Sequence, residues 1–110
     1  MREQKVADRY FAAMRAQDVA ALLDVFDVAG IIVWPDGRRI EGHAAIRDTY
    51  SRLFEHPSNN PAPGTLMIGP ESFACEAASR FASGETRRTT NVFRLSEGGL
   101  IARMDSYRQD

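Results

Sequence analysis

The sequence predicts an α+β domain in which three helices of the N-terminal half cover one face of a curved antiparallel sheet and enclose an apolar pocket. Three observations carry that prediction. Apolar residues in the first half recur mostly at helical spacing, whereas after residue 64 the period becomes two. Helices and the main run of strands are segregated along the chain, which is the order of α+β folds with antiparallel pairing. Three amphipathic helices are also few for closing tightly over a bent sheet, so a cavity between the layers is expected.

The elements follow in order. Val6, Ala7, Tyr10, Phe11 and Met14 form one stripe of a first helix. Asp18 reads as the N-cap of a second, with Val19, Leu22, Leu23 and Phe26 as its apolar face and a bend at Gln17-Asp18 between the two. Gly30 ends the helical part. Ile31, Ile32, Val33 and Trp34 are β-branched or aromatic and predict a strand, Pro35-Asp36-Gly37 a turn, and residues 38–41 a short return strand. After Gly42 a third helix places Ile46, Tyr50, Leu53 and Phe54 on one face and is stopped by Pro57.

Residues 57–64 are turn chemistry throughout and predict a loop, too short to link domains. Strands are then expected at 65–68, 72–83, 86–95 and 100–108, with turns at Gly84-Glu85 and at Ser96-Glu97-Gly98-Gly99. The 110 residues make one domain's length, so 1–110 is read as a single domain.

Composition narrows the function. The net charge of -1 provides no field for nucleic acid or an anionic membrane. No apolar run approaches the roughly 18 residues of a bilayer span, and no apolar h-region follows the N-terminal Met1-Arg2-Glu3-Gln4-Lys5. A cytoplasmic protein is expected. Cys75 is the only cysteine, so no intrachain disulfide forms. It has no sequence partner for nucleophilic chemistry and reads as a buried thiol. The two histidines, His43 and His56, lack a second ligand at metal-binding spacing, and no phosphate loop, serine elbow or zinc motif is present. Neither a metal nor a cofactor is expected.

The order of elements, together with particular residues, resembles the nuclear transport factor 2-like superfamily, in its ketosteroid-isomerase-like and SnoaL-like branches. The residues are Asp8-Arg9-Tyr10-Phe11-Ala12-Ala13, Asp18 with Leu22-Leu23-Asp24-Val25-Phe26, Glu41-Gly42-His43-Ala44-Ala45-Ile46-Arg47, and Asn91-Val92-Phe93-Arg94-Leu95 before the Gly98-Gly99 turn. The resemblance covers nearly the whole chain. It implies a cone-shaped, cystatin-like fold with a pocket at the wide end, and a homodimer formed through the outer face of the sheet.

It also implies site residues. Ketosteroid isomerases use a proton-shuttling carboxylate, with a tyrosine and a protonated aspartic acid donating to the developing oxyanion. Tyr10 matches the tyrosine and Asn91 the aspartic acid; an amide N–H donates there without a raised pKa. Trp34 stands where the shuttling aspartate would be, and indole abstracts no proton. Asp36, two residues on, is a candidate base placed in a turn.

The branch that hydrolyses limonene epoxide has its acid near the end of the last strand, which falls on Ser106. Alternation puts Leu100, Ala102, Met104 and Ser106 on the apolar face. Asp105 lies opposite, and becomes a candidate base only if a bulge shifts the register. With Asn91 inward, Arg87, Thr89 and Phe93 share its face, and Phe73, Cys75, Ala77, Ser79 and Phe81 are the inner set of the neighbouring strand. Met14, Trp34 and Phe54 complete the expected pocket.

Tyr10 and Asn91 have plainer readings as a core aromatic and a strand-bridging amide, and Arg87 as a solvated rim. Three functions stay open: a cofactor-independent isomerase, cyclase or lyase acting on a small apolar carbonyl compound; a module that binds a small apolar ligand without turnover; and a dimeric interaction domain.

Overall fold

The computed structural model describes residues 2–55, 61–80 and 84–109. His56, Pro57, Phe81 and the first part of the expected 57–64 loop lie outside them.

Helix α1 (Arg2–Ala16) buries Val6, Ala7, Tyr10, Ala13 and Met14. The bend follows at Gln17, whose φ of 53° is left-handed, and Asp18 caps α2 (Val19–Val25) by accepting from the Ala21 N–H at 3.1 Å. Phe26 is not on the face of α2: it terminates the helix and begins strand β1 (Phe26–Val33). Gly30 therefore lies within a strand. A Cβ there would stand 2.9 Å from the Asp27 carbonyl oxygen and 3.2 Å from that of Ile101. Only glycine admits so close a backbone approach.

A hairpin leads to β2 (Arg39–Glu41), and α3 (His43–Phe54) follows with Ile46 and Tyr50 buried. Four strands complete the chain: β3 (Pro61–Gly69), β4 (Ser72–Arg80), β5 (Thr86–Leu95) and β6 (Ile101–Arg108). β3 extends into the expected loop despite Pro61 and Pro63. It is an edge strand, the place in a sheet where proline's missing N–H can face away from the neighbour.

The six strands run in the order β2-β1-β6-β5-β4-β3. Four of the five joins are antiparallel, but β1 pairs parallel with β6, so the sheet is mixed rather than wholly antiparallel. The α+β class stands. The parallel join links the hairpin of the first half to the end of the last strand. It comes from long-range closure, which no turn sequence announces.

Register irregularities at 26/31, 63/66 and 94/95 bend the sheet around the helices. The last one skips Ala102, so that Leu95 faces Ile101, which is fully buried, and Arg94 faces Arg103. The inner face of β6 thus begins at Ile101 rather than at Leu100 and Ala102. Helices and inner strand residues share one apolar core, with Phe26, Phe73 and Phe93 among its largest fully buried side chains.

Candidate functional site

Toward the other end of the inner face the packing opens into a cleft of about 740 Å³ between α1, α3, the β1–β2 hairpin and strands β4–β6. The cross-strand pairs of β5 and β6 grade along it. Phe93 faces Met104 at the packed end, Asn91 faces Ser106 in the middle, and Thr89 faces Arg108 toward the mouth. Helical spacing on α1 brings Tyr10 and Met14 to one wall, and spacing on α3 brings Thr49, Tyr50 and Leu53 to another.

The deepest polar groups are two phenols. The Tyr10 and Tyr50 hydroxyls are 3.2 Å apart, and both rings are almost wholly buried. Each hydroxyl also reaches Met104 Sδ, from Tyr10 at 3.9 Å and from Tyr50 at 3.8 Å. Phe93 packs edge-on against Tyr10, centroids 4.9 Å apart, and stacks on Phe73 behind it. Burial, with the neighbouring Tyr50 hydroxyl, raises the Tyr10 pKa well above that of an ordinary phenol. Burial pushes Tyr50 up to about 12, partly offset by its hydrogen bond with Tyr10. At neutral pH the floor therefore holds two protonated phenols, which are hydrogen-bond donors.

Beside them is Asn91, which is 8% exposed. Its Oδ1 is buried without a partner, and among the described residues no hydrogen bond holds its side chain. An orphaned buried acceptor costs about 1–3 kcal/mol, so a strand residue kept in this state is unusual. The unpartnered atom is an acceptor; the Nδ2 of the same amide is a donor on a residue that lines the cleft.

Met14, Trp34, Arg87, Thr89, Met104 and Ser106 line the cleft with Tyr10 and Asn91. Phe54, Cys75 and Phe93 do not: Phe54 packs beside Tyr50 with centroids 5.9 Å apart, and Cys75 and Phe93 are fully buried in the core. Burial raises the Cys75 thiol to about 11, so it is protonated and unreactive at neutral pH.

Of the two candidate bases, Asp36 lies at the mouth, exposed. It accepts from the Arg38 backbone N–H at 3.0 Å and pairs with the Arg38 guanidinium at 2.9 Å, which together lower its pKa. Asp105 is on the opposite face of the sheet. A bulge does exist on β6, but it falls at Ala102, before Asp105, and so leaves that side chain outside. There it is nearly buried and is held by Arg94 at 3.0 Å and Arg103 at 2.9 Å.

Several cleft residues had not been singled out from the sequence: Tyr50, Arg38, Arg52, Glu55 and Arg108. The helical stripe that assigned Tyr50 to the core also points it at Tyr10, so its hydroxyl was the available signal. The charged residues sit at element ends, where periodicity says little. Among the described residues no three acidic, histidine or cysteine side chains are grouped to hold a metal ion, and no helix is long and apolar enough to cross a membrane.

The profile of the SnoaL-like domain matches residues 7–104. The chain belongs to the SnoaL-like domain family. Solved structures of this SnoaL-like fold agree closely in shape. An NTF2-like protein from Mesorhizobium loti is 19% identical, with a TM-score of 0.89 over 99% of this chain and 92% of its own. A putative polyketide cyclase from Sinorhizobium meliloti is 22% identical, with a TM-score of 0.79 over 93% of both chains. TerC, co-crystallized with polyporic acid, is 15% identical, with a TM-score of 0.83 over 99% of this chain and 92% of its own. At these identities the likeness is one of fold. A comparison with curated proteins finds no match.

Proposed function

We propose that the cleft binds a small apolar carbonyl compound and stabilises its enolate oxygen, as a cofactor-independent isomerase, cyclase or lyase. The observation that carries this reading is the cleft floor, a pair of protonated phenols able to donate, with the Asn91 amide lining the cleft beside them. Tyr10 and Asn91 donate to the oxygen that gains charge when a proton leaves the adjacent carbon. Trp34, Met14, Leu53 and Ile40 supply the apolar walls. The polyketide cyclase and TerC among the similar folds are consistent with a small-molecule pocket. The proton acceptor is Asp36 or a basic group of the substrate itself.

A second reading, binding without turnover, is favoured by one observation. Among the described residues the acids that line the cleft are Asp36 and Glu55, both exposed at its mouth, and Asp36 is a weakened base.

Trp34 is the only tryptophan and lines the cleft, so its fluorescence reports occupancy. Titration with phenols, cyclic enones and aliphatic acids is expected to give saturable quenching by the first two, weakened by Tyr10→Phe. Cyclic enones that quench are then assayed for isomerisation. Turnover slowed by Tyr10→Phe supports catalysis, and bound enones that never react support the second reading. A response to aliphatic acids alone contradicts the oxyanion site. The homodimer is part of the proposal, and light scattering across a concentration series that reads a monomer throughout refutes it.

A further inference from the structure

The hydroxyls on the cleft floor allow a count of hydrogens. Tyr10 and Tyr50 bring two O–H groups, and the 3.2 Å bond between them uses one hydrogen. The other needs an acceptor. Asn91 Oδ1 is not that acceptor, because it has no partner. Within reach of both hydroxyls is Met104 Sδ, at 3.9 and 3.8 Å. The pair therefore has two arrangements, Tyr10 donating to Tyr50 and Tyr50 to sulfur, or the reverse, and both end on the same thioether.

We infer that Met104 is the resting acceptor of the spare phenol hydrogen and a specificity-determining residue, releasing that hydrogen to a ligand oxygen when the cleft fills. This rests on the reading that the cleft takes a carbonyl or enolate oxygen. A thioether is a weak acceptor and an oxygen a strong one. The exchange is thus favourable for a ligand that presents an oxygen and unavailable to a hydrocarbon of the same shape. Burial keeps both phenols protonated at neutral pH, so the count of hydrogens holds under ordinary conditions. The sulfur also lowers the cost of the empty state: without it, one buried O–H would have no partner. Met104 thereby makes the empty cleft stable at the expense of discrimination between oxygen ligands and hydrocarbons.

Met104→Leu keeps similar volume and removes the acceptor. Phenol and toluene share a shape and differ in the oxygen, so the ratio of their Kd values, read by Trp34 fluorescence, isolates the effect. In the variant the preference for phenol over toluene is expected to rise on the order of fivefold, because the ligand then satisfies an otherwise unpaired O–H. A purely packing role moves both affinities alike and leaves the ratio where it was. A ratio changed by less than about twofold, or one that falls, overturns the inference. Wild-type protein that takes phenol no better than toluene removes the carbonyl reading as well. A wild-type preference that Met104→Leu leaves untouched removes only the role of sulfur.

Should the variant fail to fold, wild-type protein labelled with 13C at the methionine methyls answers the same question. Phenol is expected to shift the Met104 resonance further than toluene does, and equal shifts overturn the inference.

Discussion

Asp105 and Asn91 are near neighbours on adjacent strands, both polar and both buried, but they stand on opposite faces of the sheet. On the outer face each Asp105 oxygen is occupied: Arg94 Nη1 donates to Oδ2, and Arg103 donates from Nε and Nη2 to both oxygens. On the inner face Asn91 Oδ1 has no partner among the described residues. The cost of burying the first group is met by protein donors, whereas that of the second is left unmet. A satisfied buried carboxylate is structure, and in the proposed function the unsatisfied amide at the cleft is given to a ligand. The same contrast recurs along the inner face, where Phe73, Phe93 and Ile101 are packed solid and Asn91, Ser106 and Thr89 face space.

Alkali separates the two faces most completely. The inner face depends on phenols that stay protonated. Tyr50 in the folded protein ionises at about 12, above the ordinary phenol value of 10.0. The folded state then holds a proton that the unfolded chain gives up first. The stability this adds is full below pH 10 and is lost as pH rises toward 12. Circular dichroism against pH should show unfolding begin in that window. Tyr50→Phe should remove its share of the loss, and Arg94→Ala should not move the window. An unchanged alkaline limit in Tyr50→Phe breaks the assignment to the phenols.

Next in size is Asp105→Ala, expected to cost about 2 kcal/mol in urea denaturation through lost charge-assisted bonds to a buried carboxylate. The arginine side chains are 59% and 40% exposed, so water takes over much of their solvation. The cleft should be unaffected, and phenol affinity should match wild type. A loss of phenol binding without a loss of stability would place Asp105 in the site, against its position on the outer face.

Tyr10→Phe should weaken phenol binding by about tenfold, the worth of one buried hydrogen bond. Toluene affinity should stay where it is. Asn91→Leu should do something rarer and raise stability, by about 1 kcal/mol, because it replaces an orphaned amide with an apolar group of similar size. A destabilised Asn91→Leu would mean that the amide is satisfied in solution.

Local pattern made much of this molecule legible in advance. Helical stripes located Tyr10, Met14, Ile46 and Tyr50, and alternation along β5 grouped Arg87, Thr89, Asn91 and Phe93 on one face, because both periods follow from backbone geometry alone. Features that depend on distant chain segments were not legible. The parallel pairing of β1 with β6 joins residues more than seventy positions apart. The irregularity between Phe26 and Ile31 contains Gly30, whose backbone runs close to Ile101, so the expected helix terminator is part of a strand. The skipped Ala102 reversed the parity of the start of β6 without changing that of Asp105. Nor could spacing show that the Tyr50 hydroxyl meets that of Tyr10, forty residues away.

The most direct test of the central claim, that Asn91 and the phenols are held for a ligand oxygen, is the ratio of phenol to toluene affinity in wild type and Asn91→Leu, read through Trp34. Wild type should prefer phenol clearly, and Asn91→Leu should lose most of that preference while binding toluene as well or better. Equal preference in the two proteins would contradict the claim and return Asn91 to the role of an ordinary strand residue.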